Sequence, residues 1–383
     1  MAPVSSSNDS IERAALIHRD VIRLVALVFV AVAAFVVTRA VAMNNRDLSV
    51  RNAAEWYRRG EQLMDERRFD EAIDAFRRAT VRNRTNRTYL LALSRALVET
   101  RDYDSARSIL LTVRESAPED AQINLDLARL SAARHDVTET LRFYHDALYA
   151  PWPADQEEAR RAVRIELIRF LLRHNQSSRA QAELLAAGAD VPDDVAHQRE
   201  LADLFREAGD DRNALVHFQR VLRLAPHDLR ALAGAGRVAF DIGEYPLARR
   251  YLHEVPTDID ETREMRQVVD LVLSRDPMAA RIGARERHQR LEANLSSVEQ
   301  RLAGCISQRG GQAVVPEDQT LENDLQAFTR RMQRSSALDQ DTIESGVDLI
   351  ERAERIAVTA CGPATALDQA LLLIARQHGD AAQ

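Results

Sequence analysis

The chain has 383 residues, too many for one small core, and 45% of them are hydrophobic and 29% charged. Gly (13) and Pro (11) are scarce, which points to helices, and a net charge of −7 argues against general affinity for nucleic acid. All 52 basic residues are arginine, and two cysteines, Cys305 and Cys361, are too few for a paired-cysteine zinc site.

Leu24 to Val37 are fourteen apolar residues without a break. Counted past Arg23 and Arg39, the apolar segment runs from Val21 to Met43, 23 residues, enough for a helix that spans a bilayer. Ala40-Val41-Ala42 has the small-x-small form of a cleavage site, so a signal peptide is the alternative. Arg39 and the length of the segment favour an uncleaved anchor. Arg13, Arg19 and Arg23 nearly balance Arg39, Arg46 and Arg51, and long C-terminal domains translocate largely regardless of such counts. The expectation is a cytoplasmic tail over 1–20, a transmembrane helix over 21–43, and an exported, periplasmic body. Asn44 to Asn52 reads as a short polar link.

A repeat begins at residue 53, with starts at 53, 87, 121, 161, 195 and 229. Four of the five steps are 34 residues; the third is 40, and Pro151-Trp152-Pro153 marks the extra turn. The eighth position reads Gly60, Ser94, Ala128, Ile168, Ala202 and Gly236. The twentieth reads Ala72, Ala106, Thr140, Ala180, Ala214 and Ala248. The twenty-fourth reads Phe76, Leu110, Tyr144, Leu184, Phe218 and Leu252. Small residues at eight and twenty let two helices of a hairpin approach, and the large residue at twenty-four fills the gap to the next hairpin. Pro118, Pro192 and Pro226, at position thirty-two, end the second helix. A period of 34 is that of a helix-turn-helix solenoid, whose units bury their apolar faces only by stacking.

These columns resemble the tetratricopeptide repeat family, most closely in Trp56…Gly60…Phe69-Asp70-Glu71-Ala72…Phe76…Ala79. The resemblance covers residues 53–262 and implies an all-α, right-handed solenoid of about six repeats; with the apolar segment it is to a membrane-anchored bacterial type. Asn124 and Arg164 stand where tryptophan or leucine is usual, so the third and fourth repeats are degenerate.

Residues 263–383 read as a helical C-terminal module that caps or dimerises the solenoid. Its predicted helices are Arg263–Ser274, Met278–Gln308 with Leu291, Leu295, Val298 and Leu302 on one face, Leu321–Met332, a helix capped by Asp341 and running to Ala360, and a last one from Pro363 to near Gly379. A loop is expected from Gly310 to Asp318. Cys305 and Cys361 lie at helix ends, and an oxidising compartment would allow a disulfide between them.

No HExxH, P-loop, GxSxG or GxGxxG pattern is present, and the ten histidines lack metal-ligand spacing. The sequence therefore suggests no catalytic residue, metal or cofactor. The resemblance implies that positions two, five, nine, twelve and thirteen of each first helix face a groove. The ninth reads Glu61, Arg95, Arg129, Arg169, Asp203 and Arg237, and Arg173, Arg199, Arg206 and Arg230 hold other inward positions. Two readings follow. The arginines clamp the carboxylates of an acidic or extended peptide, or they pair internally with acids such as Glu61, Glu99, Asp203, Glu207 and Asp241. The chaperone-tail clamp of some family members needs lysine and asparagine that are absent here.

The function expected is a membrane-anchored scaffold holding a protein or peptide in an arginine-lined groove, within a bacterial envelope assembly. A cytoplasm-facing adaptor that recruits a soluble enzyme or protease is the alternative; an enzyme with a catalytic C-terminal module is the less favoured one.

Overall fold

The computed structural model describes residues 7–256, 260–308, 316–334, 338–362 and 364–379; side chains are described from residue 27 onward, except at 40–42, 44–49, 260–261, 308, 316–318, 360–361 and 379. The described residues are helical throughout and divide into two compact units, 1–164 and 165–383.

The first unit opens with α1 (Ser7–Asp65), a single helix of 59 residues. It carries straight through 44–52, where a polar link was expected. Asp, Asn and Arg there do not stop a helix, because none combines with a proline or a left-handed residue. Its last turns form the first helix of the first hairpin, and α2 (Phe69–Arg82) is the second. Two more hairpins follow: α3 (Arg87–Glu99) with α4 (Tyr103–Ser116), and α5 (Ala121–Ala133) with α6 (Val137–Leu148). Tyr57 lies between Phe76 and Tyr89, at 5.8 and 5.0 Å between ring centres, and so ties the first hairpin to the second. A short 3-10 turn (Ala154–Gln156) after Pro153 takes up the six-residue insertion ahead of α7 (Glu157–Arg173).

The second unit continues the pattern with α8 (Ser177–Ala189), α9 (Val195–Glu207) with α10 (Asp211–Leu224), and α11 (Leu229–Asp241) with α12 (Tyr245–Leu252). Then come α13 (Asp260–Arg275), α14 (Ala284–Gln308), α15 (Pro316–Gln333), α16 (Gln340–Cys361) and α17 (Ala366–Gly379).

The small-residue columns are buried as the spacing predicts: Ala72, Ala106, Thr140, Ala180, Ala214 and Ala248 are all fully buried. Position eight is small for a specific reason. A Cβ on Gly60 would sit 2.4 Å from the Phe76 ring, and one on Gly236 would sit 2.6 Å from Leu252. The large side chain at twenty-four therefore lies on position eight of its own hairpin. It also reaches the next one, since a Cβ on Gly234 would meet Phe218 at 2.4 Å.

Three columns escaped the sequence reading. The fifteenth position, which turns each hairpin, is left-handed throughout: Arg67, Arg101, His135 and Asn175 at φ 55–63°, Gly209 and Gly243 at 76° and 78°. First helices are capped at position thirty-four by Asn86, Asp120, Asp194 and Asp228, whose side chains accept from backbone N–H groups of the first turn. Asp102, Asp136 and Asp210, at position sixteen, cap second helices in the same way. Lastly, the degenerate Asn124 is buried and structural. Its amide donates to the Pro118 carbonyl at 2.9 Å and its oxygen accepts from Arg114 at 2.8 Å. Gln198 occupies the same position in the second unit, donating to the Pro192 carbonyl at 3.0 Å and touching His217 Nδ1 at 2.8 Å. A buried amide in this column replaces an apolar residue by satisfying a carbonyl left open by proline.

The C-terminal helices are fused to the last hairpin. Tyr245, Ala248 and Leu252 share one apolar core with Val268, Val269 and Val272 of α13 and with Leu291, Leu325, Ile350 and Leu371 of α14 to α17. Arg266 donates to the carbonyls of Leu252 and Val255 at 2.7 and 2.5 Å, closing the end of α12. Arg290 does the same for Leu273 and Asp276 at the end of α13. Pro316 begins α15 instead of belonging to the expected loop, as proline suits the first turn of a helix; residues 309–315 of that loop lie outside the described residues. Asp339 caps α16, not Asp341, and α17 starts at Ala366, where Thr365 and Asp368 cap each other reciprocally; Pro363 lies outside the described residues.

Within the core of this bundle Arg301 bridges Glu354 and Asp368. Glu354 is 1% exposed, and burial pushes its carboxyl up against the pull of Arg301. Cys305 is buried and disulfide-bonded; the Cys361 side chain lies outside the described residues.

Candidate partner-binding site

First helices touch first helices along each unit: α1 against α3 and α3 against α5, then α9 against α11 and α11 against α13. The arginines singled out by sequence lie on this row. Arg95, Arg169 and Arg199 pair with acids of the neighbouring hairpin. In the first unit Arg95 donates through Nε and Nη2 to Asp126 Oδ2, at 3.3 and 3.0 Å. Asp126 is 6% exposed and also accepts from Gln122 at 2.9 Å. Burial pushes its carboxyl up, and Arg95 opposes the shift. Arg129 is engaged too. Arg87 pairs with the capping Asp120, Arg107 with Glu139 at 2.9 Å, and Arg114 with Asp146 at 2.9 Å.

In the second unit Arg169 pairs with Glu200 at 2.5 Å and Arg199 with Asp228, the cap of α11. The rungs Arg95–Asp126 and Arg169–Glu200 have one register. An arginine at position nine meets an acid at position six of the next hairpin, 31 residues on. The contacts seen are internal pairs, as in the second of the two sequence readings, although with acids other than those named there for Arg95, Arg169 and Arg199. Arg173 is exposed on α7 and outside this register.

Between α9 and α11 the ladder is interrupted. There the ninth position is Asp203 and the sixth of the next hairpin is Gly234. A cleft of about 440 Å3 occupies the place, lined by Asp203, Arg206, Arg230, Arg237, Ala233 and Gly234, with Leu252 beneath and Thr262 and Met265 of α13 closing one side. Among the described residues Arg206 lies 4.0 Å from Asp203 of its own helix, and Arg237 lies 4.0 Å from Asp241 and is engaged elsewhere as well. Burial pushes the Asp241 carboxyl up, opposed by Arg237 and reinforced by Asp211. Of this cleft the sequence pointed to Arg206, Arg230 and Arg237. It missed Gly234 and the α13 wall.

His217, buried on α10, stacks on Phe205 at 5.2 Å, and burial followed by the Arg220 charge pushes its pKa down. It is a packing residue. Among the described residues no group of three or more His, Cys, Asp or Glu is placed to hold a metal ion. Among them, too, no helix is long and apolar enough to cross a membrane; of segment 21–43 the side chains of 21–26 and 40–42 are outside the described residues. The side chains of α1 that are described there are exposed, among them Leu27 (69%), Phe29 (74%) and Phe35 (65%).

No curated protein is similar to this chain over its sequence. Solved structures are. YrrB, described as a TPR protein with an unusual peptide-binding site, is 13% identical over 51% of this chain and 95% of its own, with a TM-score of 0.34. PilW, a type IV pilus biogenesis factor, is 17% identical over 57% and 97%, with a TM-score of 0.38. The pilF protein of Pseudomonas aeruginosa is 14% identical over 58% and 96%, with a TM-score of 0.39. Tetratricopeptide repeat models match residues 63–130 in the first unit and 165–228 in the second. Proteins built of such repeats mediate protein–protein interaction and are typically non-enzymatic. With the period, the buried columns and both matched segments in agreement, residues 63–130 and 165–228 are tetratricopeptide repeats.

Proposed function

We propose that this protein is a membrane-tethered, non-enzymatic scaffold that holds a partner protein or peptide on its row of first helices, in a bacterial envelope assembly, with the body exported. The observation that carries the tether is α1. From Leu27 to Val37 its described side chains are apolar and face outward, with Val28, Val30, Val32, Val36 and Val37 more than half exposed. A helix that is apolar all round requires an apolar environment, and residues 21–43 are long enough to find it in a bilayer. Because α1 is one helix to Asp65, the tether runs directly into the first hairpin.

Membrane fractionation tests the tether. The full chain is expected in the membrane pellet after an alkaline carbonate wash, and recovery of the intact chain in the soluble fraction contradicts it. Fusion of phosphatase and of a fluorescent protein to the C-terminus tests the side. Phosphatase activity is the expected result; fluorescence with inactive phosphatase favours the cytoplasm-facing adaptor.

A further inference from the structure

We infer that Glu354 and Arg301 form a proton-linked latch in the C-terminal helices: Glu354 takes up a proton from solvent when α14, α16 and α17 close on it, so that the bundle tightens in acid and loosens as the pH rises. The inference stands apart from the tether and from the row of first helices.

Two carboxylates share one guanidinium here. Glu354 of α16 and Asp368 of α17 are 1% and 6% exposed, and Arg301 of α14 reaches both. With both acids ionised the cluster holds one negative charge more than it can neutralise, in a place with little water. A proton removes the excess. The hydrogen bonds decide which acid holds it. Asp368 Oδ2 accepts from the Thr365 backbone N–H at 2.6 Å and from its hydroxyl at 2.7 Å, and Arg301 Nη1 pairs with the same oxygen. Asp368 also lies in the first turn of α17, where the helix favours a negative charge. Glu354 has none of this support. Neither of its oxygens accepts a hydrogen bond, and Arg301 Nε, 3.4 Å away, is itself without a hydrogen-bond partner. A buried carboxylate so placed is the costly form, and the neutral carboxyl is the stable one.

Few other charges bear on the site. Helix α14 brings Arg301 and α17 brings Asp368, while on α16 the neighbouring Glu351 and Arg355 pair with each other. Among the described residues the charge that lowers the Glu354 carboxyl is that of Arg301, burial outweighs it, and no ionisable group of α15 acts on it. The folded chain therefore keeps this proton above the ordinary glutamate value of about 4.3, at which the opened chain releases it. Stability from Glu354 is whole below that ordinary value and is lost as the pH rises through the raised one. His217, whose pKa is pushed down, changes in the opposite direction and lies on α10. Once ionised, Glu354 competes with Asp368 for Arg301, and it is the Arg301–Asp368 pair that ties the start of α17 to α14.

Hydrogen exchange of the full-length chain in detergent, read by mass spectrometry and corrected for the intrinsic pH dependence of exchange, tests the latch. Opening of residues 340–360 and 366–378 should be at least about fivefold greater at pH 8 than at pH 5, against a limit of about tenfold per pH unit for one proton. Glu354→Gln, which keeps the shape of the neutral carboxyl, should hold that change below about twofold, with exchange in α10 the same as in the unaltered chain. Opening that falls or stays level as the pH rises in the unaltered chain, or an undiminished rise in Glu354→Gln, overturns the inference. Should the variant fail to fold, infrared difference spectroscopy of the unaltered chain, grown with carboxyl-labelled glutamate, decides. Among the described residues Glu354 is the glutamate whose carboxyl is pushed up; the other raised carboxyls, Asp126 and Asp241, are aspartates. A label-shifted band of a protonated carboxyl, persisting above the ordinary glutamate range, is the expected result, and absence of that band contradicts the proposal.

Discussion

The first unit turns its hairpins with Arg67, Arg101 and His135 in the left-handed region, at φ 58°, 63° and 61°, whereas the last two turns of the second unit use Gly209 and Gly243. A left-handed L-residue costs about 1–2 kcal/mol, so the first unit forms the same turn against the preference of its residues. The turn is thus imposed by the packing of positions eight, twenty and twenty-four on either side of it, and the turn residue adapts. The row of arginines differs in the same way. In the first unit the rung Arg95–Asp126 joins α3 to α5 while Glu61 and Ala92 form none between α1 and α3; in the second unit the rung Arg169–Glu200 joins α7 to α9, and at the α9–α11 seam Asp203 faces Gly234 and the bridge is Arg199 to the capping Asp228 instead. Interchangeable hairpins buried by one set of columns can therefore carry different polar faces without changing the fold.

The largest expected effect separates ion pairs that hold the core from those that line the cleft. Arg301→Met leaves Glu354 and Asp368 buried without a counter-charge and should cost about 3–5 kcal/mol by chemical denaturation. Arg206→Gln, on an exposed arginine, should stay within about 0.5 kcal/mol. The first-unit rung comes next. Arg95→Gln should cost about 1–3 kcal/mol because Asp126 stays nearly buried, reduced from a fully buried pair by the half-exposed arginine. A change as small as that of Arg206→Gln would make the two faces equivalent and break the comparison.

Turn exchange sharpens it from the other side. Arg101→Gly should stabilise by about 0.5–1 kcal/mol, since the gain in left-handed turn energy exceeds the added chain entropy. Gly209→Arg should destabilise by about 1–2 kcal/mol. Thermal melting reads both, and a common sign for the two variants would contradict the packing-imposed turn. The smallest effect is on pH dependence. His217 is held neutral in the fold by burial, with its pKa pushed down. The unfolded chain takes up a proton at about pH 6.5 and the folded one at lower pH. Stability from this group is therefore whole above that value and is lost as the pH falls through it. His217→Gln, which keeps a donor facing Gln198, should flatten the decline in melting temperature between pH 7.5 and 5.5; an unchanged slope would show that His217 protonates freely in the fold.

The apolar columns were legible in the sequence because they repeat at one spacing and because Ala72, Ala106, Ala180, Ala214 and Ala248 leave little choice of packing. The left-handed column was hidden, since Arg67, Arg101 and His135 carry no turn signal and only Asn175, Gly209 and Gly243 do. The boundary at α15 was misread because Gly310, Gly311 and Pro316 look like one loop, although proline at a helix start is ordinary. The arginines were singled out one by one through their column, but the ladder was not read, because its partners are 31 residues apart and meet only when hairpins stack. Its absence at Asp203 and Gly234 could be seen only once the rungs elsewhere were known.

Site-specific photocrosslinking in native membranes tests the central claim most directly. A photoreactive residue placed at Ala233, in the cleft, is compared with one at Val216, exposed on α10. The account predicts discrete protein adducts from Ala233, on the row of first helices, and few or none from Val216. Adducts from Val216 alone, or the same adducts from both positions, would contradict it.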